Sequence, residues 1–133
     1  MTALRSYADQ SLHYFTRPHD RIPSEPIGGP AAWRGSELTD PRVWMEQLSR
    51  DHIDELGVAA REIVESGVPL ESVTAADHRL IGLAPIVDRW RAELRDGRGF
   101  VVVRGLPVDR WDRSIVDAAY WLLGHHLGVP GAQ

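Results

Sequence analysis

The chain has 133 residues, 43% of them hydrophobic, with 15 basic residues against 19 acidic ones and a formal net charge of -4. This is the length of one domain with enough apolar material for a modest core, which excludes wholesale disorder, and a mildly acidic balance gives nucleic acid or an anionic membrane no electrostatic hold. Cysteine is absent and every basic residue is an arginine, which excludes disulfides, zinc–thiolate sites, thiol catalysis and any mechanism built on a Schiff-base or phosphate-binding lysine. No apolar run approaches the roughly 20 residues of a membrane span, and no charged start leads into a signal-like apolar stretch. The expected location is the cytoplasm.

Residues 1–30 read as an extended or partly disordered arm. Pro18, Pro23, Pro26 and Pro30, with Gly28 and Gly29, interrupt regular structure repeatedly. Tyr7, Leu12, Tyr14 and Phe15 are available to pin a short piece of the arm to a body. Ala31 to Arg34 forms a short extended segment. Asp40-Pro41 is a helix-start signal, an acceptor followed by proline at the first helical position, with Val43, Trp44 and Leu48 on the buried side. Ser49 caps a longer helix whose apolar positions Ile53, Leu56, Ala60, Ile63 and Val64 follow helical spacing, and Gly67 ends it.

A linker over 68–76 leads to a second amphipathic stretch. Leu83, Ile86, Val87, Trp90 and Leu94 face the core, and Asp88, Arg91, Glu93 and Arg95 face solvent. Pro85 fits the first turn and Gly97 the end. The pattern then changes. Gly99 to Gly105 is short, β-branched and bounded by glycines, and it reads as a strand buried on both faces. Asp109 or Asp112 caps a last helix carrying Ile115, Val116, Ala119, Leu122, Leu123 and Leu127, closed by Gly128 and Pro130. A single buried strand leaves backbone groups unpaired at a cost for each. Its neighbour is therefore the segment near Trp33, a part of the protein after Gln133, or another molecule. The economical expectation is a missing C-terminal portion.

Candidate chemistry is sparse. His52-Ile53-Asp54 has the spacing of two ligands of a facial triad, but on a helix residues two apart diverge by roughly 200°, so the pair reads as solvated helix surface. His126 falls near an apolar stripe and reads as a packing residue with one hydrogen bond, and His125 as facing solvent. His13, His19 and His78 lie in segments without organised partners. Gly28-Gly29 and Gly97-Arg98-Gly99 lack the strand-then-helix order of a phosphate loop. Trp44, Trp90, Trp111 and Trp121 are core and interface packing. No catalytic, cofactor-binding or metal residue is assigned.

The order of segments resembles a bacterial branch of the TauD/TfdA-like dioxygenases. The resemblance runs over residues 29–133. It is carried by Gly29-Pro30-Ala31-Ala32-Trp33-Arg34-Gly35, by the run Leu94-Arg95-Asp96-Gly97-Arg98-Gly99-Phe100-Val101-Val102-Val103-Arg104-Gly105-Leu106-Pro107-Val108, and by Tyr120-Trp121, Gly124, His126-Leu127-Gly128, Pro130 and Gln133. It implies an α+β chain, with residues 31–133 as the N-terminal helices and first core strand of an incomplete double-stranded β-helix (jelly roll). It further implies a small-molecule substrate, with iron(II) held by a His-x-Asp/Glu…His triad and 2-oxoglutarate as cosubstrate in the full-length family. The family's ligands follow the position of Gln133, so none maps onto this sequence and neither group is expected to bind this chain alone. His52-Ile53-Asp54 stands before the Gly99 strand, the wrong place for the family motif. Two other readings stand beside this one: a non-enzymatic helical interaction module that pairs its strand with a partner or a second copy, and a helix-turn-helix regulator suggested by Leu127-Gly128-Val129-Pro130. The acidic balance weighs against the regulator.

Overall fold

Ser49 opens the element on which the others pack. In the computed structural model, which describes residues 5–18, 24–26 and 28–131, helix α2 runs Arg50–Ser66 and the Ser49 side chain accepts from the His52 backbone N–H. The Ser49 N–H in turn donates to His52 Nδ1 at 3.4 Å, a reciprocal cap with histidine in place of the usual acid. Gly67 ends the helix at φ 66°, a left-handed conformation that a Cβ disfavours. The buried side of α2 is Leu56, Gly57, Ala59, Ala60 and Ile63. Val64, expected on that face, is 39% exposed.

Helix α3 spans Ala84–Asp96, with Pro85 in its first turn, and buries Ile86, Val87 and Trp90. Helix α4 spans Arg113–Leu127 from Asp112 and buries Ala118, Ala119, Leu122 and Leu123. It packs chiefly on α2 and secondarily on α3. Alanines on both sides of the α2–α4 seam let the backbones approach closely. No side chain of its own caps α3. Glu55 does so from α2, its two oxygens accepting the N–H groups of Gly82 at 2.9 Å and Leu83 at 3.0 Å. This satisfies donors that a helix start otherwise leaves unpaired.

Three expectations need correction. First, the Asp40-Pro41 signal opens only a single 3-10 turn, Pro41–Val43, although Asp40 accepts from the Arg42 N–H as a cap should. The chain then straightens into strand β1, Met45–Gln47. Second, β1 is the neighbour of strand β2, Val102–Arg104. The two run parallel, with Met45 opposite Val102 and Gln47 opposite Arg104. The partner therefore lies within the chain, and it is not the Trp33 segment, which forms a turn and a 3-10 helix at Gly35–Glu37. Third, β2 is not buried on both faces: Val102 is 40% exposed and Arg104 is exposed, with Val103 half-buried between them.

The segment read as an arm contains helix α1, Tyr7–Thr16, capped by Ser6 and burying no residue. Tyr7, Leu12, Tyr14 and Phe15 are all exposed. Backbone ties the start of this segment to the residues just after α4, with the Arg5 N–H donating to Pro130 O at 2.9 Å beside a parallel bridge to Gly131. Pro23, His19 and Gln133 lie outside the described residues. Among the described residues no helix is long and apolar enough to cross a membrane. The described architecture is α+β, four α-helices with a two-stranded parallel sheet.

Replacing Glu55 by alanine leaves the Gly82 and Leu83 donors without their acceptor. Glu55→Ala is expected to lower unfolding free energy by about 1–2 kcal/mol in urea titration. An unchanged midpoint would show that the inter-helix cap contributes nothing.

Candidate functional site

Among the described residues, the β1–β2 ladder leaves one side of β2 open. The Val102 N–H donates to Trp44 O at 2.9 Å, and Arg104 O accepts from the Leu48 N–H at 3.0 Å. In a parallel ladder alternate residues bond to the same neighbour, so the N–H and C=O of Val103 point away from β1. Along the helix-facing side of this strand runs an apolar groove of about 350 Å³, lined by Trp90, Leu94, Val103, Leu106, Tyr120 and Leu123 among others. Tyr120 is 81% exposed there and Leu94 42% exposed. The Trp90 indole N–H is buried with no acceptor among the described residues. Such a group costs about 1–3 kcal/mol.

Arg98 fixes the approach to this strand. Its N–H donates to Glu93 Oε1 at 2.8 Å. Its Nε lies 3.0 Å from the same oxygen, near enough for an ion pair but poorly aligned for a hydrogen bond. The guanidinium also donates to Val43 O, and Arg98 O accepts from the Trp33 indole at 3.1 Å. One residue thus joins the end of α3, the entry to β1 and the Trp33 turn. Trp33 meets Phe100 edge-on, with ring centroids 5.2 Å apart. After the strand, Gly105 adopts φ 103°, and a Cβ there would stand 2.5 Å from Gln47 Nε2. The left-handed conformation is what requires glycine, since the Gln47 amide is the mobile end of a side chain.

The residues singled out from sequence for metal binding do not converge. His52 is engaged in the Ser49 cap, while Asp54 turns to Arg50 at 3.7 Å. Asp54, Arg50 and Arg110 border an open basin of about 600 Å³ with Ile53 and Trp111. Among the described residues no three His, Asp or Glu side chains are grouped to hold an ion. His13 stands on exposed α1.

Histidines at the other end of α4 are better organised than their sequence suggests. The His126 ring Nε2 lies 2.9 Å from His78 O, the single bond expected of a packing histidine. His78 itself has a partner, with its Nδ1 3.6 Å from Glu62 Oε2. His125 is half-buried: its Nε2 is buried and, among the described residues, without a partner, and its ring lies 5.1 Å from that of Trp121. Burial, and then the neighbouring His126, hold the His125 pKa below the ordinary histidine value, against an opposing pull from Asp77. Sequence spacing set His125 and His126 side by side on one helix and left His78 in a segment without organised partners. Only the return of α4 along α2 brings them together.

No family model matches the chain. It is 24% identical over 112 residues to FR-33289 synthase of Streptomyces rubellomurinus (strain ATCC 31215), an alignment covering 84% of this chain and 33% of that protein. The chain thus resembles part of an enzyme and spans about a third of that relative's length.

Arg98→Ala removes two side-chain linkages, to Glu93 and to Val43 O, and keeps the backbone bonds to Glu93 and Trp33. The variant is expected to lose about 1–3 kcal/mol of stability in urea titration, and Arg98→Lys is expected to recover little, because a single ammonium cannot reproduce the planar fork. Full stability of the alanine variant would show that β2 is positioned by packing alone.

Proposed function

We propose that this chain supplies the flanking helices and first core strand of a TauD/TfdA-like iron(II)/2-oxoglutarate oxygenase acting on a small molecule, and that it is inactive by itself. The observation that carries the reading is the unit from α3 through the Gly97–Gly99 turn into β2 and out through Gly105. These are the residues on which the family resemblance rests, and among the described residues they form a strand with one free edge. The likeness to part of an enzyme three times as long is consistent with a chain that furnishes only part of a catalytic domain. A jelly-roll core continuing from β2 would add a strand along Val103 and cover the Trp90–Tyr120 groove, giving the exposed apolar side chains a packing role.

The described residues do not fit the iron that such an enzyme carries. His52 and Asp54 are committed to separate local contacts, and no alternative trio is grouped. No catalytic step is therefore derived for this chain. Its contribution in the proposed enzyme is to seat one edge of the core and to close one flank with helices.

Two measurements test the proposal. The purified chain should bind no stoichiometric iron(II) and release no succinate from 2-oxoglutarate, and robust turnover would overturn the claim that it lacks the site. The reading frame beyond the Gln133 codon should encode a His-x-Asp/Glu pair followed by a distal histidine and arginine. A stop codon there, with a stably folded chain that pairs its strand with a partner, would favour the interaction module instead.

A further inference from the structure

The loop over 73–80 is held on the last turns of α4 by ring nitrogens. The Trp121 indole donates to Val73 O at 3.2 Å, and the His126 ring meets His78 O at 2.9 Å. Between these two contacts in sequence stands His125, packed on Trp121 with Nε2 buried and, among the described residues, unpartnered. The loop carries its own fastening. Asp77 accepts from the Thr74 N–H at 2.8 Å and from the Thr74 hydroxyl at 2.7 Å, bonds that draw its carboxyl below the usual range. A second anchor binds the loop to α2 through the contact of His78 with Glu62, whose side chain is 61% exposed.

We propose that His125 is an acid-sensitive switch that governs docking of the 73–80 loop on the end of α4. A neutral ring tolerates its buried site, whereas a protonated ring gains a second N–H and a charge at a nitrogen that has no acceptor. The surroundings add to this asymmetry. On α4 itself stands His126, whose O accepts from the Arg91 guanidinium of α3. The loop contributes Asp77, while Glu62 of α2 faces His78. Asp77 favours the charged His125, but burial and His126 outweigh it.

Because the folded value is depressed, the neutral ring supports the docked loop above the ordinary histidine range. That support is lost as pH falls through the lowered value. Acid therefore weakens the hold of α4 on the loop.

The test uses the 133-residue chain between pH 8 and 5. It combines NMR titration of the His125 ring with amide exchange of Thr74 and Asp77, corrected for the intrinsic pH dependence of exchange. Exchange of these amides is expected to rise about tenfold for each unit of depression in the His125 pKa, with a midpoint matching that of the His125 ring, while Ala60 in α2 stays protected. His125→Phe should remove the step, and Asp77→Asn should move the His125 midpoint to lower pH. Loop exchange without a step, or a step that survives in His125→Phe or follows the His78 titration, would overturn the proposal. Should His125→Phe not fold, agreement or disagreement of the two midpoints in the unaltered chain still decides.

Discussion

A parallel pair of strands cannot be closed by a tight turn, and this constraint organises the described part of the molecule. Met45–Gln47 and Val102–Arg104 run in the same direction, so the chain must travel back along the sheet between them. Helices α2 and α3 make that journey, and α4 then packs against both. The core of Leu56, Ile63, Leu83, Val87 and Leu122 lies where these three helices meet. Each contributes a stripe that it cannot bury alone.

The same constraint explains why local contacts cluster at the two ends of the crossover. At its start, Ser49 and His52 cap each other immediately after β1. At its end, Arg98 ties the last turn of α3 to the entry of β1. Midway, Glu55 fastens the start of α3 onto α2. These polar ties add direction to apolar packing that has little of its own. The sheet they align is too small to be stable by itself, and its free edge at Val103 adjoins an apolar groove. On the proposed reading, that edge is where the rest of an oxygenase core continues.

The helices were legible in the sequence because their signals are local. Ser49, Gly67, Pro85 and Gly97 stand at or beside the ends that their chemistry dictates, and the apolar spacing between them matches the buried faces except at Val64 and Leu94, which are exposed. Strand β1 was not legible. Asp40-Pro41 carries true cap chemistry, yet only the pairing with β2, far along the chain, draws the residues after Trp44 into extended form. That is a tertiary effect overriding a local preference. Helix α1 was hidden by the prolines around it, although its own stretch from Tyr7 to Thr16 contains none. For the site, sequence spacing correctly separated His52 from Asp54, because their divergence follows from helix geometry alone. It missed the meeting of His78, His125 and His126, which depends on how α4 returns along α2.

The central claim is that β2 is paired on one side and open on the other. Amide exchange at successive residues of this strand in the monomeric chain tests it most directly. The account predicts slow exchange at Val102, whose N–H is held by Trp44 O, and fast exchange at Val103, whose N–H faces the free edge. Equal protection of the two amides would contradict it, since β2 would then already have a second neighbour.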